Sequence, residues 1–154
     1  ITHQTGVTQY EAVKASYGQL GIDLPREVEV LPFINDMDQR LSDCDVVVCR
    51  AGAITVSELC VAGVPSILVP LVVSTTAHQR DNAAYMAKHG AAIHLPQGEL
   101  TPESLAERLR SLHRDDLRAM ADKAHALARR GAAAAVADDI ERLTSSSTRK
   151  GAAA

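Results

Sequence analysis

Short runs of consecutive apolar residues alternate along this chain with longer stretches in which apolar residues recur every three or four positions. The first kind reads as buried strand, the second as amphipathic helix. Ile1 and Thr2 read as the close of a strand. Val7, Tyr10, Val13, Tyr17 and Leu20 then keep helical spacing, and Gly21 followed by Pro25 ends that helix. Residues 28–31 form a short strand. Ile34, Met37 and Leu41 predict a second helix, with Asn35 or Asp36 able to cap it. Residues 46–49 are an unbroken apolar run, the pattern of a strand covered on both faces. A turn at 50–53 leads to a helix over 55–62, stopped by Gly63. Residues 66–69 are the next strand, ended by Pro70. A Val- and Thr-rich loop joins it to a helix over 78–89, which Gly90 closes before a last strand at 91–94.

The C-terminal third is helical by the same criteria. Thr101-Pro102-Glu103 starts a helix with a cap, a first-turn proline and an acid at the positive helix end. Leu105, Leu109 and Leu112 line its buried face. Two further helices are expected over 117–129 and 132–143, and the small, polar tail from Thr144 to Ala154 is expected to be disordered.

Strands alternating with helices predict an α/β domain, a Rossmann-like parallel sheet with helices on both faces. Ligands of such sheets bind beyond the carboxyl ends of the strands. Three segments follow strands directly: Phe33 and Ile34, residues 50–58, and residues 70–79. A sheet of this kind opens with a complete strand, a glycine-rich loop and a helix. Here the sequence begins at a strand end and holds no such loop, so its first strand and glycine loop are expected to be missing, with self-association as a consequence of the apolar surface this bares.

Composition narrows the function. The 154 residues suit one domain and carry a formal charge of −3, with both signs dispersed. With one Phe, three Tyr and no Trp, there is neither a basic patch nor an aromatic platform, which disfavours nucleic acid. No apolar run approaches the ~20 residues of a membrane span, and no charged leader precedes the opening ITHQTG. Cys44, Cys49 and Cys60, odd in number and without CxxC spacing, read as buried apolar side chains in a reducing cytoplasm. His89, His94, His113 and His125 show no metal-ligand spacing, so no metal and no cofactor is expected.

The most informative segment is VVVCRAGAITVSELCVAGVPSILVP, residues 46–70. A strand enters a glycine turn and then a helix, whose first amides favour an anion such as a diphosphate. Gly52 permits a tight turn and close backbone approach. Thr55 can cap the helix or touch a phosphate oxygen. Glu58, one turn in, suits a vicinal diol such as a ribose. A capped helix with an ordinary surface glutamate explains the same residues.

This run resembles the donor-binding signature of the MurG family, the peptidoglycan N-acetylglucosaminyltransferases of glycosyltransferase family 28. The resemblance extends from His3-Gln4-Thr5-Gly6 to about Leu143, through Phe33-Ile34-Asn35-Asp36-Met37, residues 50–63, His78-Gln79 and Asn82-Ala83. It implies the C-terminal half of a GT-B glycosyltransferase, an inverting enzyme that moves GlcNAc from UDP-GlcNAc to a lipid-linked muramoyl-pentapeptide on the cytoplasmic face of the bacterial inner membrane. It implies that Ile34 meets uracil through its backbone, that Ala53, Ile54 and Thr55 wrap the diphosphate, and that Val56 and Ser57 continue that contact. Glu58 would hold the ribose hydroxyls and Gln79 the GlcNAc ring, with His78 beside it, where many members carry Gln. His3 falls in a structural turn, and Arg50 is read as a structural salt bridge rather than a phosphate contact. The acceptor site and the general base belong to an N-terminal domain outside this sequence, so no catalytic residue is assigned and this chain alone is expected to be inactive. The absence of a DxD-like carboxylate pair fits a leaving UDP stabilised by a helix end. Two other readings are a donor-binding subunit of a split UDP-GlcNAc transferase and a non-catalytic nucleotide-binding module, although the GxGxxG loop of a dinucleotide binder is lacking.

Overall fold

Every strand pairing in the computed structural model is parallel, and a helix separates each strand from the next. The structure describes residues 1–71 and 77–151, with side chains described through Thr144. The chain divides into two units, Ile1–Arg40 and Leu41–Ala154.

In the first unit, β1 (Thr2–Gln4) pairs with β2 (Glu29–Leu31), placing Thr2 opposite Glu29, His3 opposite Val30 and Gln4 opposite Leu31. Between them runs α1 (Tyr10–Gln19). The helix expected from Val7 starts three residues later, because Gly6, at φ 75°, first turns the chain out of β1 and residues 7–9 complete that turn. Val7 and Leu20, placed on the buried face by spacing, are 81% and 75% exposed, while Tyr10, Val13 and Tyr17 are half-buried. His3 lies in β1 rather than in a turn. Its Nδ1 meets the Tyr17 hydroxyl at 3.0 Å and the rings stand edge to face. Arg40 ties the unit together through Glu29, Asp36 (3.0 Å) and Thr2 Oγ1 (3.1 Å), and the two carboxylates hold its guanidinium still more firmly charged. Ile34 falls outside the second helix, α2 (Met37–Asp43), whose first backbone bond is accepted by Asp36.

The second unit contains β3 (Val47–Cys49), α3 (Ala53–Ala62), β4 (Ser66–Leu68), α4 (His78–Lys88) and β5 (Ile93–His94). A 3-10 turn at Gln97–Glu99 leads into α5 (Pro102–Ser111), α6 (Arg114–Ala126) and α7 (Ala132–Gly151). The strand order is β3-β4-β5. The middle strand is buried throughout, and its alternating side chains feed two cores. Leu68 joins Leu59 and Cys60 of α3 and Ala83 and Met86 of α4, with Ala124 of α6. Ile67 joins Val69 and Leu95, against Leu105 and Leu112. Helices therefore cover both faces of β4, as the sequence implied. The flanking β3 departs from that expectation: Val48 is 43% exposed, because β3 has a strand on one side only within its sheet.

Glycines end α3 and α4. Gly63 (φ 67°) and Gly90 (φ 69°) both take the left-handed conformation that lets a helix stop and turn. The start of α5 is as expected, with Thr101 Oγ1 accepting from the Ser104 N–H at 3.1 Å and Ser104 Oγ accepting from the Thr101 N–H at 2.9 Å. The helix expected from Leu117 begins at Arg114, because Asp116 Oδ2 accepts from the His113 N–H at 3.0 Å and fixes the first turn there. The last strand is shorter than expected, since Ala91 and Ala92 form a buried bend before Ile93. The helix expected to end at Leu143 continues to Gly151, into the tail expected to be disordered; residues 152–154 lie outside the described residues, as do residues 72–76 of the expected Val- and Thr-rich loop.

Candidate functional site

The chain leaves β3 at Cys49 and enters α3 at Ala53 within four residues. Ala51 is wholly buried and Gly52 is the N-cap, with no side chain bonded to the helix end. The first intrahelical bond runs from the Val56 N–H to the Gly52 carbonyl at 2.9 Å. By helix geometry the amides of Ala53, Ile54 and Thr55 have no acceptor within α3 and point out of its positive end. Three consecutive N–H donors with no competing cap suit the oxygens of a phosphate or diphosphate.

Thr55 is therefore inside the helix, at its third position, and does not cap it. Gly52 has φ −62° and ψ 150°, a conformation open to any residue, so the turn does not require glycine on conformational grounds. Val56 packs against the core and its N–H is already bonded, so its side chain faces away from the helix mouth. Ser57 donates its hydroxyl to the Ala53 carbonyl at 2.9 Å. Glu58 and Ile54 are both exposed, one turn apart on the same side of α3.

Two side chains brace this turn. Arg50 Nη1 donates to the Val69 carbonyl (3.1 Å) and to Gln97 Oε1 (2.8 Å), linking the exit of β3 to the exit of β4 and to the 3-10 turn after β5. Its structural role is thus met by neutral oxygens, and the expected salt bridge is replaced by hydrogen bonds. Asn82 Nδ2 donates to the Ala51 carbonyl at 2.9 Å and holds the turn from α4. Sequence reasoning assigned Asn82 no role; its place among the motif residues was the available signal.

At the exit of β4, Gln79 Oε1 accepts from the Leu71 N–H at 2.9 Å, which leaves its amide hydrogens as donors. His78 is exposed at the first position of α4. Gln79 and Asn82 thus project from the same helix start, one toward Leu71 and one toward Ala51. Ile34, in the first unit, donates its N–H to Gln4 Oε1 at 3.0 Å, beside a Phe33 that is 63% exposed.

The remaining chemistry is quiet. Cys44, Cys49 and Cys60 are free thiols, and burial pushes each one up, Cys49 to about 11. Cys60 Sγ lies 3.5 Å from Met86 Sδ in the core. Among the described residues, no three His, Cys, Asp or Glu side chains gather as a metal-binding group, and no helix is long and apolar enough to cross a membrane.

Residues 1–142 match the glycosyltransferase family 28 C-terminal domain. The chain belongs to this family. Among relatives of the family 28 domain, the UDP-N-acetylglucosamine--N-acetylmuramyl-(pentapeptide) pyrophosphoryl-undecaprenol N-acetylglucosamine transferase of Methylibium petroleiphilum is 66% identical over 143 residues, 93% of this chain and 38% of the relative. The protein of the same name from Chromobacterium violaceum is 60% identical over 93% of this chain and 39% of its own length. The crystal structure of Acinetobacter baumannii MurG superposes with a TM-score of 0.83 at 40% identity, covering 92% of this chain and 42% of that one. The fold is accordingly that of the C-terminal part of a GT-B glycosyltransferase. The chain spans about two fifths of the relatives it matches.

Proposed function

We propose that this family 28 domain binds UDP-GlcNAc as the donor-binding part of an inverting N-acetylglucosaminyltransferase, whose acceptor is a lipid-linked muramoyl-pentapeptide. The observation that carries the reading is the open amino end of α3, capped by Gly52 alone, with Glu58 one turn further on. The names of the relatives at 66% and 60% identity supply the donor and acceptor.

In this reading the amides of Ala53, Ile54 and Thr55 receive the diphosphate, with Val56 and Ser57 completing the segment. As the bond to the sugar breaks, negative charge builds on the leaving UDP. A helix end whose donors are already aimed there stabilises that charge without reorganising. Glu58, exposed and able to accept two hydrogen bonds, takes the ribose diol. Gln79 uses its free amide hydrogens on hydroxyls of the GlcNAc ring, with His78 beside it, and Ile34 reads the uracil through its backbone. The parent protein works at the cytoplasmic face of the inner membrane, as a peripheral enzyme, in peptidoglycan synthesis.

Titration of UDP and UDP-GlcNAc into the chain and into Glu58→Ala, by calorimetry, tests the assignment. Loss of a charged hydrogen-bond partner should weaken UDP by about tenfold or more. A folded chain that ignores UDP, or a variant that binds it as well as the parent, would sink the reading.

A further inference from the structure

Gln4 sits in β1 opposite Leu31, and its backbone is fixed by the β1–β2 ladder, which the Thr5 N–H extends to the Leu31 carbonyl at 2.9 Å. From that fixed base its side chain reaches the segment after β2, where Oε1 accepts from the Ile34 N–H at 3.0 Å. The orientation of the carboxamide follows from chemistry, because its nitrogen can only donate and an N–H requires an acceptor. An N–H makes one good linear hydrogen bond at a time. The Ile34 N–H therefore cannot serve Gln4 and a nucleobase carbonyl together.

The carboxamide also carries an acceptor C=O beside N–H donors, the same pairing that uracil presents at its O4 and N3–H edge. We propose that Gln4 competes with the nucleobase for the Ile34 amide, so that uridine nucleotide binds only when the Gln4 carboxamide gives way. This inference rests on the reading of Ile34 as the uracil contact. Both partners of the bond are at the surface, where one hydrogen bond has modest net strength, so the competition lowers affinity by a limited factor and does not close the site.

The test uses this chain with Gln4→Ala and Gln4→Met, the second of which keeps the side-chain length while removing the strong acceptor. UDP and inorganic pyrophosphate are titrated into each by NMR, alongside Glu58→Ala. Both Gln4 variants should bind UDP about two- to tenfold more tightly, the range expected for one such bond, and pyrophosphate no differently. In the unsubstituted chain, the Gln4 side-chain amide signals should move toward solvent-exposed values as UDP is added. Unchanged or weaker UDP binding in the variants, or an equal gain for pyrophosphate, overturns the competition while leaving the donor reading intact, provided Glu58→Ala still loses UDP. If Glu58→Ala keeps its UDP affinity, or the chain binds no UDP, the donor reading fails and this inference fails with it.

Discussion

Asn82 Nδ2 donates to the carbonyl of Ala51 at 2.9 Å, so the second turn of α4 grips the residue just before the glycine at which α3 begins. Ala51 is wholly buried, and a buried carbonyl without a partner is costly. Asn82→Leu should therefore lower stability by about 1–3 kcal/mol in urea unfolding. UDP affinity should fall with it, because the turn that aims the α3 amides loses its brace. A variant of full stability and full affinity would show that the bond is dispensable.

Gly52 separates folding from binding. Its φ of −62° suits any residue, and an added Cβ would meet only Thr55 Oγ1, at an ordinary 3.7 Å. Gly52→Ser should leave stability within about 0.5 kcal/mol of the parent or slightly above it, since serine is a better cap than glycine by a few tenths. The same hydroxyl would accept from the Ile54 or Thr55 amide, the donors assigned to the diphosphate. UDP should bind several-fold more weakly to a chain that melts no earlier, as thermal unfolding and titration on one sample would reveal.

At Gly63 the opposite holds. The φ of 67° is strained for any L side chain, and a Cβ there would lie 3.2 Å from Nδ1 of His125 on α6. Gly63→Ala should cost about 1–3 kcal/mol. Adding His125→Ala should recover only the steric part, because the backbone strain remains. Complete recovery in the double variant would place the whole cost in the side-chain contact.

Cys49 gives the fold an alkaline limit. Burial raises its thiol from 9.0 to about 11 in the folded chain. Below about pH 9 both folded and unfolded chains keep the proton, and this residue adds no pH dependence. Between about pH 9 and pH 11 the unfolded chain loses the proton first, so stability falls as pH rises. Urea midpoints measured from pH 8 to about pH 10.5 should decline, and Cys49→Ala should flatten the decline. Part of the slope should survive, because Cys44 and Cys60 are raised as well.

The apolar pattern and the glycines placed the seven helices and five strands of the described residues in order; the stop of α3 at Gly63 fell where expected, while α4 ends at Lys88, one residue before the expected end. The pattern misjudged boundaries where a local contact overrode spacing. Gly6 delays α1, and the Asp116 carboxylate starts α6 three residues early. The candidate site was legible as a strand running into a helix through glycine, since both the amides and Glu58 are set by position along one helix. Arg50 was legible as structural but not in its partners.

The sequence by itself determined the alternation of β and α, the glycine stops, and the chain order that puts the amino end of α3 directly after β3. Those are properties of neighbours along the chain, governed by sterics and by the period of apolar residues. Only the tertiary structure decided that the strands form sheets of two and three, and that Val48 lies half-open on β3. It alone decided that Arg50 bonds Gln97, that Asn82 holds Ala51, and that Gln4 occupies Ile34. These partners lie 47, 31 and 30 residues apart, and no local period can say which distant polar groups packing will bring within hydrogen-bond reach.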